Sequence, residues 1–144
     1  MELEALQGIY FEVTALGAEL VVITPELERY THALRKKLNL SFDILTDLLL
    51  KIAEQFGLVF TLPDYLRELY KSFGSTLDKF NGEPGYRLPM PARYIVDQKG
   101  IIRAANVNAD YTIRPVWPGA SCKVCGVAAF ILVRCFKISS GSVI

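Results

Sequence analysis

Apolar residues return along the start of the chain at three- and four-residue steps: Leu3, Leu6, Tyr10, Val13 and Leu16. That spacing puts them on one face of a helix, and Gly17 can supply the left-handed turn that stops it. The pattern then changes to the continuous apolar run AELVVIT, residues 18–24. A short run rich in β-branched residues suits a strand covered on both faces, as in a parallel sheet, so this strand is expected to be central. Thr24 is the expected N-cap of a second helix and Pro25 its first residue, while Glu26 and Glu28 suit the positive end of the helix dipole. Leu27, Tyr30, Leu34 and Leu38 form its core face, and Asn39 is expected to end it in a left-handed turn.

Further along, SFDIL (41–45) reads as a short strand, and Asp47 as the cap of a third helix with a buried stripe of Leu49, Ile52, Ala53 and Phe56 before Gly57. PDYLRELYKSF (63–73) predicts another helix, with Tyr65, Tyr70 and Phe73 expected in the core. NGEPGYRLPMP (81–91) has the Gly and Pro content of a constrained loop. ARYIVD, QKG and IIRAANV (92–107) then predict two antiparallel strands joined by a tight turn. The expected fold class is α/β, three layers of helix, sheet and helix, with a parallel part first and an antiparallel hairpin after it.

Composition narrows the functional classes. A chain of 144 residues with 51% hydrophobic residues has enough apolar material for one core. A net charge of +1 gives no field that would favour nucleic acid or a membrane surface. The apolar stretch Val127–Val133 falls far short of the ~20 residues needed to span a bilayer. MELEALQGIY has neither a signal peptide's apolar run nor a transit peptide's basic character, so the expected location is the cytoplasm.

Charge is unevenly distributed. Residues 1–110 carry all 15 acids and 12 of the 16 bases, whereas residues 111–144 carry four bases and no acid, together with all three cysteines and the single Trp. This marks a compositional boundary near Arg114, dividing the chain into 1–114 and a divergent tail, 115–144.

The three cysteines lie in GASCKVCGVAAFILVRCF (119–136), two of them as Cys122-x-x-Cys125. A redox Cys-x-x-Cys normally opens a helix after a strand, which lowers the first thiol's pKa. Here the pair follows a Pro-Gly loop and precedes a strand-like run. Zinc would require four ligands, and His32 with Cys122, Cys125 and Cys135 are spaced unlike any common zinc motif. No metal or cofactor is expected, and Cys122 and Cys125 are retained only as weak redox candidates. His32, among charged residues on a helix, reads as a surface residue.

Three stretches, ALGAELVVITPE, FGLVFTLPDYLRELYKSFG and LPMPARYIVDQKGIIRAANVNADYTIR, resemble in this order the peroxiredoxin-like branch of the alkyl hydroperoxide reductase and thiol-specific antioxidant (AhpC/TSA) family, over residues 1 to about 114. The resemblance implies an incomplete thioredoxin-like fold and a thiol-dependent reduction of hydroperoxides. Complete relatives take a hydroperoxide and a thiol reductant as partners. It implies that Pro91 occupies the place of the cis proline that faces the redox site. It further implies a peroxidatic cysteine at the start of the first helix, where the dipole lowers a thiol pKa. No cysteine precedes Cys122 in this chain, so no residue matches that nucleophile. Arg93 and Arg103 lie on suitable strands for the family's activating arginine, but neither stands in a matching motif.

In the family the strand leading to the nucleophile lies in mid-sheet, between the strand resembled by AELVVIT and the hairpin. Without it two strand edges would lack partners, a state that favours association through open sheet edges. Val127–Ile138 is apolar enough to fill that place and is expected to pair with AELVVIT, the hairpin or both. Two functional readings stand at this point: a member of a hydroperoxide-reducing family that is catalytically incomplete, or a non-enzymatic thioredoxin-fold module that binds another chain.

Overall fold

The computed structural model describes residues 2–72, 77–82, 85–108, 127–133, 138–139 and 142–143. The chain opens with α1 (Glu2–Ala15), β1 (Glu19–Thr24), α2 (Glu28–Leu38) and β2 (Asp43–Thr46). A 3-10 turn (Leu48–Leu50), α3 (Lys51–Gln55), β3 (Val59–Thr61), α4 (Asp64–Ser72) and α5 (Leu77–Asn81) follow. The strands β4 (Arg87–Pro89), β5 (Ala92–Asp97), β6 (Ile102–Val107), β7 (Val127–Val133), β8 (Ile138–Ser139) and β9 (Ser142–Val143) complete the order.

Five strands form the central sheet in the order β2-β1-β7-β5-β6. β1 runs parallel to β2 and β7, whereas β5 runs antiparallel to β7 and β6. The expected parallel part and hairpin are both present. The segment expected to fill the gap does so over Val127–Val133: it lies between β1 and β5, with Ile131 opposite Val21 on one side and Tyr94 on the other. Residues 134–137, which the expectation included, are outside the described residues, and Ile138, its last residue, lies instead in β8, opposite Val143 of β9 in a separate two-stranded sheet.

Apolar side chains alternate across β1 because successive strand residues point to opposite faces. Leu20 and Val22 join Leu3, Leu6, Val13, Leu34 and Phe42 in one core, built with α1 and α2. Ile23, with Val21 packed alongside, joins Leu50, Ala53, Leu58, Ala92 and Tyr94 in the other. This two-sided burial explains why AELVVIT has no polar alternation.

Local signals are partly realised. Asn39 adopts φ 49° and its N–H reaches the Arg35 and Lys36 carbonyls, ending α2 as expected. Asp47 reaches across to the start of α3, its two carboxylate oxygens accepting the N–H groups of Ile52 at 2.9 Å and Ala53 at 2.8 Å. Thr24, however, does not cap α2: it ends β1, and the helix begins only at Glu28 with Leu27 at the cap. In the connection between them the Thr24 hydroxyl accepts the Glu26 N–H at 3.4 Å, and the Leu27 N–H donates to the Phe80 carbonyl at 2.9 Å. Leu49 is half exposed instead of buried; Leu49 and Leu50 both have φ 60°, and this left-handed pair turns Leu50 into the core in its place. Leu16 lies beyond the end of α1 and is exposed.

α4 forms as expected but buries no residue, and Tyr65 is 72% exposed, so this helix does not place an aromatic core. Phe73 is outside the described residues. The constrained loop 81–91 contains a short strand, β4, which pairs antiparallel with β3.

Candidate functional site at the carboxyl edge of the parallel strands

In an open α/β sheet, ligand chemistry gathers where the parallel strands end. Here β1 ends at Thr24, β2 at Thr46 and β7 at Val133. Val133 stands opposite Ala92, the first residue of the antiparallel β5, so Pro91 belongs to this edge as well. The edge is therefore made by Thr24, Pro25 and Glu26 after β1, Asp47 after β2, and Met90 and Pro91 before β5.

Backbone bonds fix its walls. The Asp47 N–H donates to the Thr24 carbonyl at 2.7 Å, tying the ends of β1 and β2 together. The Met90 N–H donates to the Leu58 carbonyl at 2.8 Å, and the Pro91 carbonyl accepts from the Asn108 N–H at 3.3 Å. Thr24 is fully buried, and its hydroxyl lies 3.4 Å from the Glu26 N–H. No cis peptide occurs among the described residues, so the Met90–Pro91 bond is trans and the cis expectation is corrected. The β3–β4 pairing and the two bonds on either side of Pro91 position the entry to β5 in the trans geometry.

Glu26 is the unexpected member of this edge. Read in sequence as an acid favouring the helix dipole, it is instead completely buried, and neither carboxyl oxygen has a hydrogen-bond partner. Burial pushes its pKa up from the ordinary 4.5 to about 7. Nothing in Thr-Pro-Glu distinguishes a buried acid from a first-turn acid, because what buries it is packing from distant parts of the chain.

The two candidate arginines separate. Arg93, one residue into β5 and half buried, has its guanidinium pKa pushed down by burial. Arg103 is held at the far end of the hairpin by Asp97, with Nε at 2.7 Å and Nη2 at 2.6 Å from Oδ2. Asp97 also accepts the Lys99 and Ile101 N–H groups at 2.9 Å, so Arg103 serves the β5–β6 turn. His32 is exposed on α2. Cys122, Cys125 and Cys135 lie outside the described residues. Among the described residues, no three His, Cys, Asp or Glu side chains gather as metal ligands, and no helix is long and apolar enough to cross a membrane.

A mixed sheet with parallel strands flanked by helices, closed on one side by an antiparallel hairpin entered through a proline, is the architecture of a thioredoxin-like domain. The model of the AhpC/TSA family matches residues 1–105 of the 144, and the chain belongs to that family. Comparisons with curated proteins and with solved structures found no match.

Proposed function

We propose that this chain is a thiol-peroxidase-family scaffold whose peroxidatic machinery is incomplete within its 144 residues. The observation that carries this reading is that β7, from the cysteine-containing tail, occupies the sheet position between β1 and β5, while no cysteine stands anywhere before Cys122. Family membership supports thiol-dependent redox chemistry in general. The carboxyl edge supplies a buried acid, a proline-entered strand and a half-buried arginine, but none of these is a nucleophile toward a hydroperoxide at neutral pH.

Thiol chemistry in this chain would fall to Cys122, Cys125 or Cys135. Cys135 follows Val133 by two residues, and Val133 is paired with Ala92 beside Pro91. The test is consumption of hydrogen peroxide and of an organic hydroperoxide with dithiothreitol as reductant, comparing the native chain with Cys122→Ser, Cys125→Ser and Cys135→Ser. All four should match the protein-free background. Turnover above background, lost in any one of the serine variants, would overturn the proposal and identify the nucleophile.

A second reading, a non-enzymatic module that associates with a second copy of this chain through its open sheet edge, is favoured by β6. All six of its residues are exposed, Ile102 and Val107 among them, and it is the terminal strand of the sheet. Such an edge offers a row of backbone groups for pairing. Sedimentation of the native chain against Ile102→Lys separates the readings: an assembly that dissociates in the variant supports it, and a monomer at all concentrations rejects it.

A further inference from the structure

Glu26 lies in the three-residue connection between β1 and α2, and that connection is also the seat of α5. The next residue, Leu27, donates its N–H to the Phe80 carbonyl at 2.9 Å. Tyr30, one turn further, meets Phe80 in a tilted ring pair, centroids 4.8 Å apart and planes at 58°. At the end of α5, a Cβ on Gly82 would lie only 3.0 Å from Leu27 Cδ2, so this backbone is packed directly against the Leu27 side chain. The turn and α5 are thus docked by one backbone bond, one ring pair and one close approach, and the residue next to Leu27 in that turn is a fully buried Glu26 whose carboxyl oxygens have no partner.

A buried carboxyl without hydrogen bonds is tolerable when neutral and costly when charged. The charged groups on the neighbouring elements do not relieve it. Glu28 and Arg29 on α2 and Asp78 and Lys79 on α5 are exposed, Arg29 lying over the Tyr30 ring, and the Asp47 carboxylate after β2 is occupied by the Ile52 and Ala53 N–H groups. Among the described residues, burial is the cause of the upward shift at Glu26.

We propose that Glu26 is a protonation switch for this turn: neutral, it can stay buried while Leu27 and Tyr30 hold the β1–α2 connection closed on α5, and ionised, it must reach water, which opens the turn and releases α5. The switch is independent of the peroxidase question and concerns how the carboxyl edge is opened.

The sign follows from linkage. In the closed state the carboxyl titrates near 7, and in the open, hydrated state near its ordinary 4.5. Opening therefore becomes about tenfold easier per pH unit between those values and is constant above the higher one. From about pH 5 to pH 8 the population of the open state should rise roughly 50- to 100-fold.

Hydrogen exchange of the Leu27 amide, followed by NMR and corrected for the intrinsic pH dependence of exchange, reads this opening directly. Leu27 protection should fall by that factor over the interval, and it should stay below that of the Val22 amide in β1, which opens only on global unfolding. Glu26→Gln should remove the pH dependence; if that variant fails to fold, Glu26→Met provides the same neutral comparison. Leu27 protection that is flat with pH would overturn the switch, as would a slope surviving in the neutral variant. Equal protection of Leu27 and Val22 throughout would also overturn it, since the opening would then be global.

Discussion

Removing residues 120–144 should abolish cooperative folding, and the size of the effect follows from the position of β7. The strand has five register partners on β1 and six on β5. A central strand shares roughly one ladder hydrogen bond per residue pair across its two neighbours, so about ten bonds are lost with it. At about 0.5–1.5 kcal/mol net each, the loss is on the order of 5–15 kcal/mol, as large as the entire stability of an ordinary domain. The deletion also leaves the β1 and β5 edges open in mid-sheet, which favours aggregation. The assay is urea unfolding followed by far-ultraviolet circular dichroism, with size-exclusion chromatography of the same samples. A milder perturbation, Ile131→Pro, acts at the residue paired with both Val21 and Tyr94 and should cost about 3 kcal/mol, because proline cannot donate to a ladder. A truncated chain that remains monomeric with an unchanged unfolding midpoint would refute the reasoning.

The other expectations rest on single positions. Leu49→Asn should raise stability by about 1 kcal/mol, because the residue is left-handed and half exposed; Leu50→Asn should lower it by about 3 kcal/mol, because the same backbone conformation is there combined with full burial. Thermal unfolding of the two variants side by side checks both. Asp47→Ala should cost about 2 kcal/mol in denaturant unfolding, since two backbone N–H groups at the start of α3 lose their acceptor. With the Met90–Pro91 bond trans, Pro91→Ala should cost under about 1 kcal/mol, an unfolded-state effect only, whereas loss of the native fold would show that the proline does more than stiffen the chain. Asp97 has its pKa lowered, chiefly by the Ile101 N–H; burial opposes this, and Arg103 and Lys99 add further lowering. Its contribution is present above the ordinary carboxylate range and lost as pH falls through the lowered value, so Asp97→Asn should flatten the acid limb of the stability curve.

The sheet was legible wherever local chemistry and burial agree. AELVVIT announces a strand covered on both faces, and ARYIVD with IIRAANV announces a hairpin, because the period of the side chains and the turn residues between them are local properties. The mid-sheet place expected for Val127–Ile138, found for Val127–Val133, could be inferred because the segment is apolar and the family resemblance implies a sheet position for which the chain has no matching strand. What remained hidden depends on contacts made at a distance. Thr24 has the chemistry of a cap, yet α2 begins only at Glu28 with Leu27 at the cap, and the Leu27 N–H is held by the distant Phe80 carbonyl. Leu49 has the spacing of a core residue, yet two consecutive left-handed residues exchange its place with Leu50. Tyr65 has helical spacing on an amphipathic pattern, but α4 buries no residue, so periodicity alone assigned it a core that does not form there.

The candidate site shows the same division. Pro91 was placed at the entry to β5 from its position before ARYIVD, and the structure keeps it there, but its peptide geometry is decided by the bonds Met90 and Asn108 make around it. Arg103 was separated from the site only when its partner Asp97 was seen. Glu26 could not be found at all, since a charge pattern that suits a helix N-terminus is indistinguishable in sequence from a fully buried carboxyl.

The central claim, that this family scaffold holds no activated peroxidatic thiol, is tested most directly by the rate at which each cysteine is oxidised. The chain is exposed to a stoichiometric amount of hydrogen peroxide, folded in buffer and unfolded in urea, and the sulfenic acid formed at Cys122, Cys125 and Cys135 is trapped and quantified by peptide mass spectrometry. The account predicts that no cysteine reacts faster in the folded chain than in the unfolded one. A folded-state acceleration of several orders of magnitude at any of the three, with Cys135 the informative position because it follows β7, would contradict it.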